Sequence, residues 1–154
     1  MSNLKVITVL SLIFSSIILV GCSKEIAKEI NVAEGNLAIE GYDSVSYFKE
    51  KSPLKGKPEF KHVWKKATYN FSSQENLDSF KESPEKYAPQ YGGYCAYAMS
   101  LDAVSPVDPK VFQVVEGKLY LQHNKKAQDL WVPEKKENIT KADGFWSKYP
   151  KKSL

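Results

Sequence analysis

Side chains that could act through a thiol or an imidazole are few in this chain of 154 residues. There are two cysteines, Cys22 and Cys95, and two histidines, His62 and His123. Cys95 and His123 form the best candidate pair, either as metal ligands or as a nucleophile and its base. A free cysteine is also among the most buried residue types, so a buried and inert Cys95 is the simpler interpretation.

A second candidate site combines phenols with a carboxylate. Tyr94 and Tyr97 flank Cys95, whereas Asp43 and Tyr47 belong to an earlier aromatic segment. One interpretation brings these five residues to a pocket for a small ligand, with Asp43 at its mouth. The other makes Asp43 a helix cap and the tyrosines part of the core. We favour the second interpretation for Asp43.

Composition and motif searches exclude several classes of protein. The formal net charge is +4, and every basic residue except the two histidines is a lysine. The lysines are dispersed and form no basic stripe with interleaved aromatics, which disfavours nucleic acid as a partner. No Ser-His-Asp order, His-Glu-x-x-His motif or phosphate-binding loop is present. The sequence therefore favours a binding module over an enzyme of a known motif class.

Two hairpins and several short helices are predicted. Alternating apolar residues place strands on each side of a turn at residues 65–67, and again on each side of Glu116-Gly117. Helices are expected at residues 44–49, after Ser72, after Asn124 and after Pro133. Gly92-Gly93 predicts a turn with positive φ. This pattern predicts a small single α+β domain with two antiparallel hairpins, no internal repeat, and tryptophans mainly in the core.

The N-terminal residues predict export. Lys5 precedes an apolar stretch from Val6 to Val20, which has the length of a secretory signal and is short for a membrane span of roughly 20 residues. The sequence Leu19-Val20-Gly21-Cys22 resembles a bacterial lipoprotein signal. We expect a signal peptide at residues 1–21, lipid on Cys22, and a polar tether at residues 22–36 with a short helix at residues 25–30. The protein would then be anchored to the cell membrane or the outer membrane.

Three segments resemble the YHS domain family and its exported bacterial subgroup. They are residues 41–48, residues 69–73 with the aromatic and proline positions that follow, and residues 91–98 with residues 117–121 beyond them. The resemblance covers most of a domain that we place at residues 37–150. It implies metal handling, because YHS modules occur in metal-transporting ATPases and many carry cysteines that suit copper or zinc. The positions of those cysteines correspond here to Ser46, Ser72 and Asn76.

Three functional hypotheses follow from these observations. The first is a lipid-anchored binding module for copper, zinc or a small ligand, with Cys95 and His123 as the candidate metal ligands. The second is a thiol-dependent enzyme that uses Cys95 with His123 as its base. The third is a structural lipoprotein that docks an envelope protein through an aromatic surface.

Overall fold

The computed structural model describes residues 26–154, so the predicted signal peptide and Cys22 lie outside the described residues. The fold is α+β, as predicted, with short helices and antiparallel hairpins. The strands are β1 (Ala27–Lys28), β2 (Val32–Ala33), β3 (Leu37–Ala38), β4 (Lys57–Trp64), β5 (Ala67–Phe71), β6 (Asp108–Val115), β7 (Lys118–Gln122) and β8 (Lys151–Lys152). The helices are α1 (Ser46–Lys49), α2 (Gln74–Glu82), α3 (Pro84–Tyr87), α4 (Ala96–Ser100), α5 (Lys125–Trp131) and α6 (Lys135–Lys148). None of these helices is long and apolar enough to span a membrane.

The two predicted hairpins form the β-structure around which the chain is built. The β4–β5 hairpin belongs to a four-stranded sheet of order β2-β3-β5-β4, and the β6–β7 hairpin stands as its own pair. Lys65 and Lys66 turn the first hairpin with positive φ, and Glu116 and Gly117 turn the second in the same way. Positive φ at both central residues gives the backbone twist that two-residue hairpin turns require. Both turns lie where the sequence predicts them.

The order of elements occurs twice along the chain, contrary to the expectation of no repeat. Unit 1 (residues 39–82) and unit 2 (residues 91–131) each start with three residues of positive φ, and the third of these is the glycine of a Gly-Tyr pair. A short helix, a bulged hairpin and a capped helix follow in each unit. β4 begins at Lys57 and β6 at Asp108, which is 51 positions later. The register shift of each hairpin keeps this separation, between Lys57 and Lys61 in the first and between Asp108 and Phe112 in the second.

Equivalent positions in the two units make equivalent contacts. Ser73 caps α2 through a hydrogen bond from the N–H of Asn76, and Asn124 caps α5 through the N–H of Ala127. The rings of Tyr69 and Phe80 stack at 4.8 Å in unit 1, and those of Tyr120 and Trp131 lie at 5.4 Å in unit 2. Few equivalent positions of the two units carry the same residue type. The repeat is therefore evident from the backbone conformation and not from the sequence pattern.

The two units share one hydrophobic interior. The ring of Tyr47 from unit 1 packs edge-on against Phe112 from unit 2, with their centroids 4.8 Å apart. The Tyr47 hydroxyl donates to the carbonyl oxygen of Pro109 at 2.8 Å. The main core cluster includes Phe71 and Leu77 of unit 1 together with Leu119 of unit 2. The two units therefore bury their apolar faces against each other in a single domain.

The predicted tether is part of the fold from residue 26 onward. Ala27 and Ile30 are buried in the two core clusters, and β1 pairs in parallel with β8. The predicted helix at residues 25–30 is wrong over its described part, because Ala27–Lys28 forms a strand. The polar residues of this segment obscured its alternation of buried and exposed positions. The folded domain thus begins about ten residues before the predicted boundary at residue 37.

Candidate functional site

Asp43 is a fully buried carboxylate at the centre of unit 1. Its Oδ1 accepts hydrogen bonds from the N–H groups of Val45 at 2.8 Å and Ser46 at 3.3 Å. Its Oδ2 accepts from the N–H of Ser72 at 2.8 Å, from the Ser72 hydroxyl at 2.6 Å and from the side-chain amide of Asn76 at 2.8 Å. Five donors converge on one carboxylate, which ties the start of α1 to the start of α2. Asp43 therefore caps the turn that leads into α1, and the helix itself begins at Ser46 rather than at Ser44 as predicted.

This arrangement bears on the YHS cysteine positions. Ser46, Ser72 and Asn76, which the sequence resemblance aligns with the cysteines of YHS modules, all donate hydrogen bonds to the Asp43 carboxylate. The Ser46 hydroxyl also donates to the carbonyl oxygens of Asp43 and Ser52, each at 2.8 Å. Oxygen and amide groups that are already hydrogen-bonded to one another are poor ligands for a soft metal. The donor set at this position does not fit copper or zinc.

Cys95 is buried, with 1% of its surface exposed. Its thiol donates to the side-chain oxygen of Gln122 at 3.4 Å, and the same oxygen accepts from the N–H of Tyr97 at 3.1 Å. Burial and a neutral amide neighbour are the surroundings of an inert thiol rather than a reactive one. The buried interpretation of Cys95 agrees with this geometry.

His123 faces away from Cys95. It is exposed, and its Nδ1 lies 2.9 Å from the carbonyl oxygen of Pro106. Gln122, the last residue of β7, is fully buried and accepts from the Cys95 thiol, whereas His123 follows the strand and is exposed. The structure therefore gives Cys95 and His123 separate partners. Within residues 26–154 there is no group of three or more His, Cys, Asp or Glu side chains placed to hold a metal ion.

The repeat explains what Cys95 and Gln122 do. Cys95 stands in unit 2 where Asp43 stands in unit 1, immediately after the Gly-Tyr pair. Asp43 satisfies the N–H two residues further on, that of Val45, whereas in unit 2 Gln122 satisfies the equivalent N–H of Tyr97. A side chain from the end of β7 has thus replaced the local carboxylate cap. Cys95 fills the remaining apolar space.

The predicted ligand-site residues do not converge on one pocket. Asp43, Tyr47 and Cys95 are buried in the core, and the Tyr47 hydroxyl is engaged by unit 2. Burial raises the pKa of Tyr47 well above its ordinary value, so this phenol stays neutral. Tyr94 and Tyr97 are half-buried, and the Tyr94 hydroxyl accepts from the N–H of Lys28 at 3.1 Å.

An open cleft of about 330 Å³ lies at a different place, beside the junction of the two units. Its aromatic walls are Trp64 from the end of β4, Tyr91 from the start of unit 2 and Trp146 from α6. Trp64 and Trp146 are half-buried, whereas Trp131 is fully buried. The expectation that the tryptophans lie in the core is therefore confirmed for Trp131 only. Sequence reasoning missed this cleft because its walls come from segments distant along the chain.

Charged groups of both signs line the cleft. Lys65 lies 3.4 Å from Glu29, and its ammonium nitrogen is 4.6 Å from the centroid of the Trp64 ring. The Lys151 ammonium lies 4.4 Å from the centroid of the Trp146 ring. The acidic residues of the wall are Glu29, Glu85 and Asp143. Such a mixture can orient a ligand that has a flat apolar face and polar substituents.

Backbone of positive φ forms part of the cleft wall. Tyr91 adopts a φ of 54°, which is rare for a bulky side chain, and its hydroxyl donates to Asp143 at 2.9 Å. Burial and the hydrogen bond from the Tyr91 hydroxyl to Asp143 both raise the pKa of this phenol. Gly92 packs so closely against the backbone of Glu29 that a Cβ atom at position 92 would lie 2.2 Å from the Glu29 carbonyl oxygen. Strained residues of this kind cost about 1–3 kcal/mol each and concentrate at functional sites.

Comparison with known proteins identifies one family along this chain. Residues 45–91 match the YHS domain. The match begins at α1, runs through the β4–β5 hairpin, α2 and α3, and ends at Tyr91, where unit 2 begins. No curated protein and no solved structure matches the chain significantly.

Proposed function

We propose that this protein is a lipid-anchored envelope module that binds a small organic ligand in the cleft between Trp64, Tyr91 and Trp146. The observation that carries the proposal is the cleft itself. Its volume of about 330 Å³ is that of a small-molecule site, and its walls combine aromatic faces with a few polar groups. The strained Tyr91 and the close approach at Gly92 fix the wall before any ligand arrives.

The ligand class follows from the wall. Three rings offer flat apolar surface, and Lys65, Lys151, Glu85 and Asp143 offer hydrogen bonds and charge of both signs. A small molecule with an aromatic or other flat ring and polar substituents is complementary to this arrangement. Copper or zinc handling keeps the support of the YHS match, but the hydrogen-bonded shell around Asp43 and the separated Cys95 and His123 give it no favourable donor set.

A fragment screen by NMR tests the proposal. The chain has three tryptophans, so its 1H–15N spectrum contains three indole signals, two from the cleft and one from the buried Trp131. Ring-containing polar fragments should shift the signals of Trp64 and Trp146 in a saturable way and leave that of Trp131 unchanged. Trp146→Ala should weaken the binding at least tenfold. A library that shifts neither cleft indole, or binding that Trp146→Ala leaves intact, would contradict the proposal.

Fractionation tests the anchor separately. Cys22 precedes every element of the described fold, so Cys22→Ser should move the protein from the membrane fraction to the soluble fraction in a high-salt wash, without altering its circular dichroism. The matched control is Cys95→Ser, which should stay in the membrane fraction. A Cys22→Ser protein that has lost residues 1–21 and still remains membrane-bound after a high-salt wash would rule out lipid anchoring at this residue.

A further inference from the structure

Five lysines gather at the end of the domain where the chain enters the fold. Lys28 and Lys152 are direct partners in the parallel β1–β8 pair, and Lys151 is the partner of Ala27. Lys65 reaches Glu29 next to this pair, and Lys66 donates to the Ser153 hydroxyl and the Leu154 carbonyl oxygen just after β8. All five side chains are exposed. We call this surface the lysine face.

Two of these lysines place like charges opposite each other. Lys28 and Lys152 stand side by side on adjacent strands, an arrangement of like charges that destabilises a strand pair. Among residues 26–154, neither side chain has an acidic partner. A pair of strands only two residues long has little hydrogen bonding to offset that repulsion. The arrangement is more stable with an external anion than without one.

The position of the lysine face, close to the proposed lipid anchor, indicates that the membrane surface could supply such an anion. With lipid on Cys22, only four residues separate the anchor from Ala27, and the five Cα-to-Cα steps between them can span at most about 18 Å. The start of β1 is therefore held close to the bilayer surface. Electrostatic attraction acts within a Debye length, about 8 Å at physiological ionic strength, and a link this short allows the lysines to come within that range. Trp64 and Trp146 lie beside the lysine face, and tryptophan favours the membrane interface.

We propose that the lysine face docks on anionic phospholipid headgroups and orients the domain on the membrane. This inference rests on the proposed lipid anchor, which supplies the proximity. The three acidic side chains of the cleft are outnumbered by the five lysines, and Glu29 is paired with Lys65. Docking through this face turns the mouth of the cleft toward the bilayer, so that a ligand would reach Trp146 from the interface rather than from bulk solvent.

Vesicle binding by the unlipidated chain tests the docking without the anchor. A chain from residue 22 with Cys22→Ser contains every described element, because β1 begins at Ala27. It should sediment with phosphatidylglycerol-containing vesicles, should not sediment with pure phosphatidylcholine vesicles, and should dissociate as salt is raised. Binding to both vesicle types alike, or to neither, would overturn the proposal.

Charge reversal locates the surface. Lys28→Glu with Lys152→Glu should weaken binding to the anionic vesicles by roughly thirtyfold or more, since each lysine near the surface contributes about fivefold. The matched control is Lys110→Glu with Lys126→Glu, two exposed lysines of unit 2 that lie outside the lysine face. Equal losses in the two double variants would overturn the assignment of the face. Lipid anchoring is judged independently by the Cys22→Ser fractionation, so the failure of one proposal is distinguishable from the failure of the other.

Discussion

At the scale of the residue, Asp43 is the side chain on which unit 1 most depends. Asp43→Ala would leave the buried N–H groups of Val45 and Ser72 and the amide of Asn76 without their acceptor. We expect the free energy of unfolding to fall by about 3–5 kcal/mol, as it does when one partner of a buried charged network is removed. Urea titration followed by circular dichroism measures this loss.

A control for Asp43 is available on the surface of α2. Asp78 is exposed and accepts one hydrogen bond from Gln74. Asp78→Ala should change the free energy of unfolding by no more than about 0.5 kcal/mol. If the two variants lose a similar amount of free energy of unfolding, the five hydrogen bonds to Asp43 do not stabilise the fold more than the single hydrogen bond to Asp78 does.

Cys95 should be unreactive in the folded protein. Its thiol is 1% exposed and is engaged by Gln122. In a chain that carries Cys22→Ser, Cys95 is the single thiol, so its alkylation by iodoacetamide can be followed by mass spectrometry. Labelling should require denaturant. Rapid, stoichiometric labelling of the native protein would instead revive the hypothesis of a thiol-dependent enzyme.

The sequence predicted helix caps and turns better than it predicted the candidate ligand site. Capping by Asp43 and Asn124 and the turn at Gly117 depend on neighbours a few positions away, so short-range patterns reveal them. The cleft brings Trp64, Tyr91 and Trp146 together from three distant segments, and no local pattern encodes that meeting. Cys95 and His123 are the converse case, because their chemistry suggested a pair, but Cys95 is buried against Gln122 and His123 is exposed beside Pro106.

At the scale of the element, the left-handed turn at the start of unit 2 determines how the N-terminal segment packs. Gly92 has a φ of +61°, and an added Cβ would lie 2.2 Å from the Glu29 carbonyl oxygen. Asn31 donates its N–H to the carbonyl oxygen of Gly92 at 2.8 Å, which fixes the close approach. Gly92→Ala should therefore destabilise the protein by about 3 kcal/mol or more, through overpacking added to backbone strain. Thermal unfolding measures the effect.

The variant Gly117→Ala distinguishes backbone strain from steric overpacking. The φ of Gly117 is +73°, but an added Cβ would meet nothing within 4 Å. Gly117→Ala should thus cost only the backbone term, about 1–2 kcal/mol. If the two glycine variants lose equal stability, the contact with Glu29 is not a constraint on the fold.

At the scale of the whole molecule, buried phenols link stability to alkaline pH. Burial raises the pKa of Tyr47, Tyr69 and Tyr91, and it raises that of Tyr120 from its ordinary value of 10.0 to about 12. Above pH 10 the unfolded chain loses these protons while the folded protein keeps them, so stability is full below pH 10 and falls as the pH rises. Midpoints of thermal unfolding measured between pH 8 and pH 12 should decline in that window.

Tyr69→Phe isolates one of these phenols. The Tyr69 hydroxyl is buried and makes no hydrogen bond within the described residues, so its removal should be neutral or stabilising at pH 7. The same variant has one fewer group to ionise, and its midpoint should decline less steeply above pH 10. A variant that is destabilised at pH 7 and keeps the full alkaline decline would contradict this account.

The shared interior of the two units predicts that they unfold together. Tyr47 of unit 1 packs on Phe112 and donates to Pro109, so neither unit can open without exposing the other's core. A chain with Trp64→Phe and Trp146→Phe reports only on Trp131 in unit 2. Adding Asp43→Ala, which damages unit 1, should lower the urea midpoint seen by Trp131 fluorescence as much as the midpoint seen by circular dichroism. An unchanged Trp131 midpoint would mean that unit 2 folds independently, and the repeat would then be two domains rather than two halves of one.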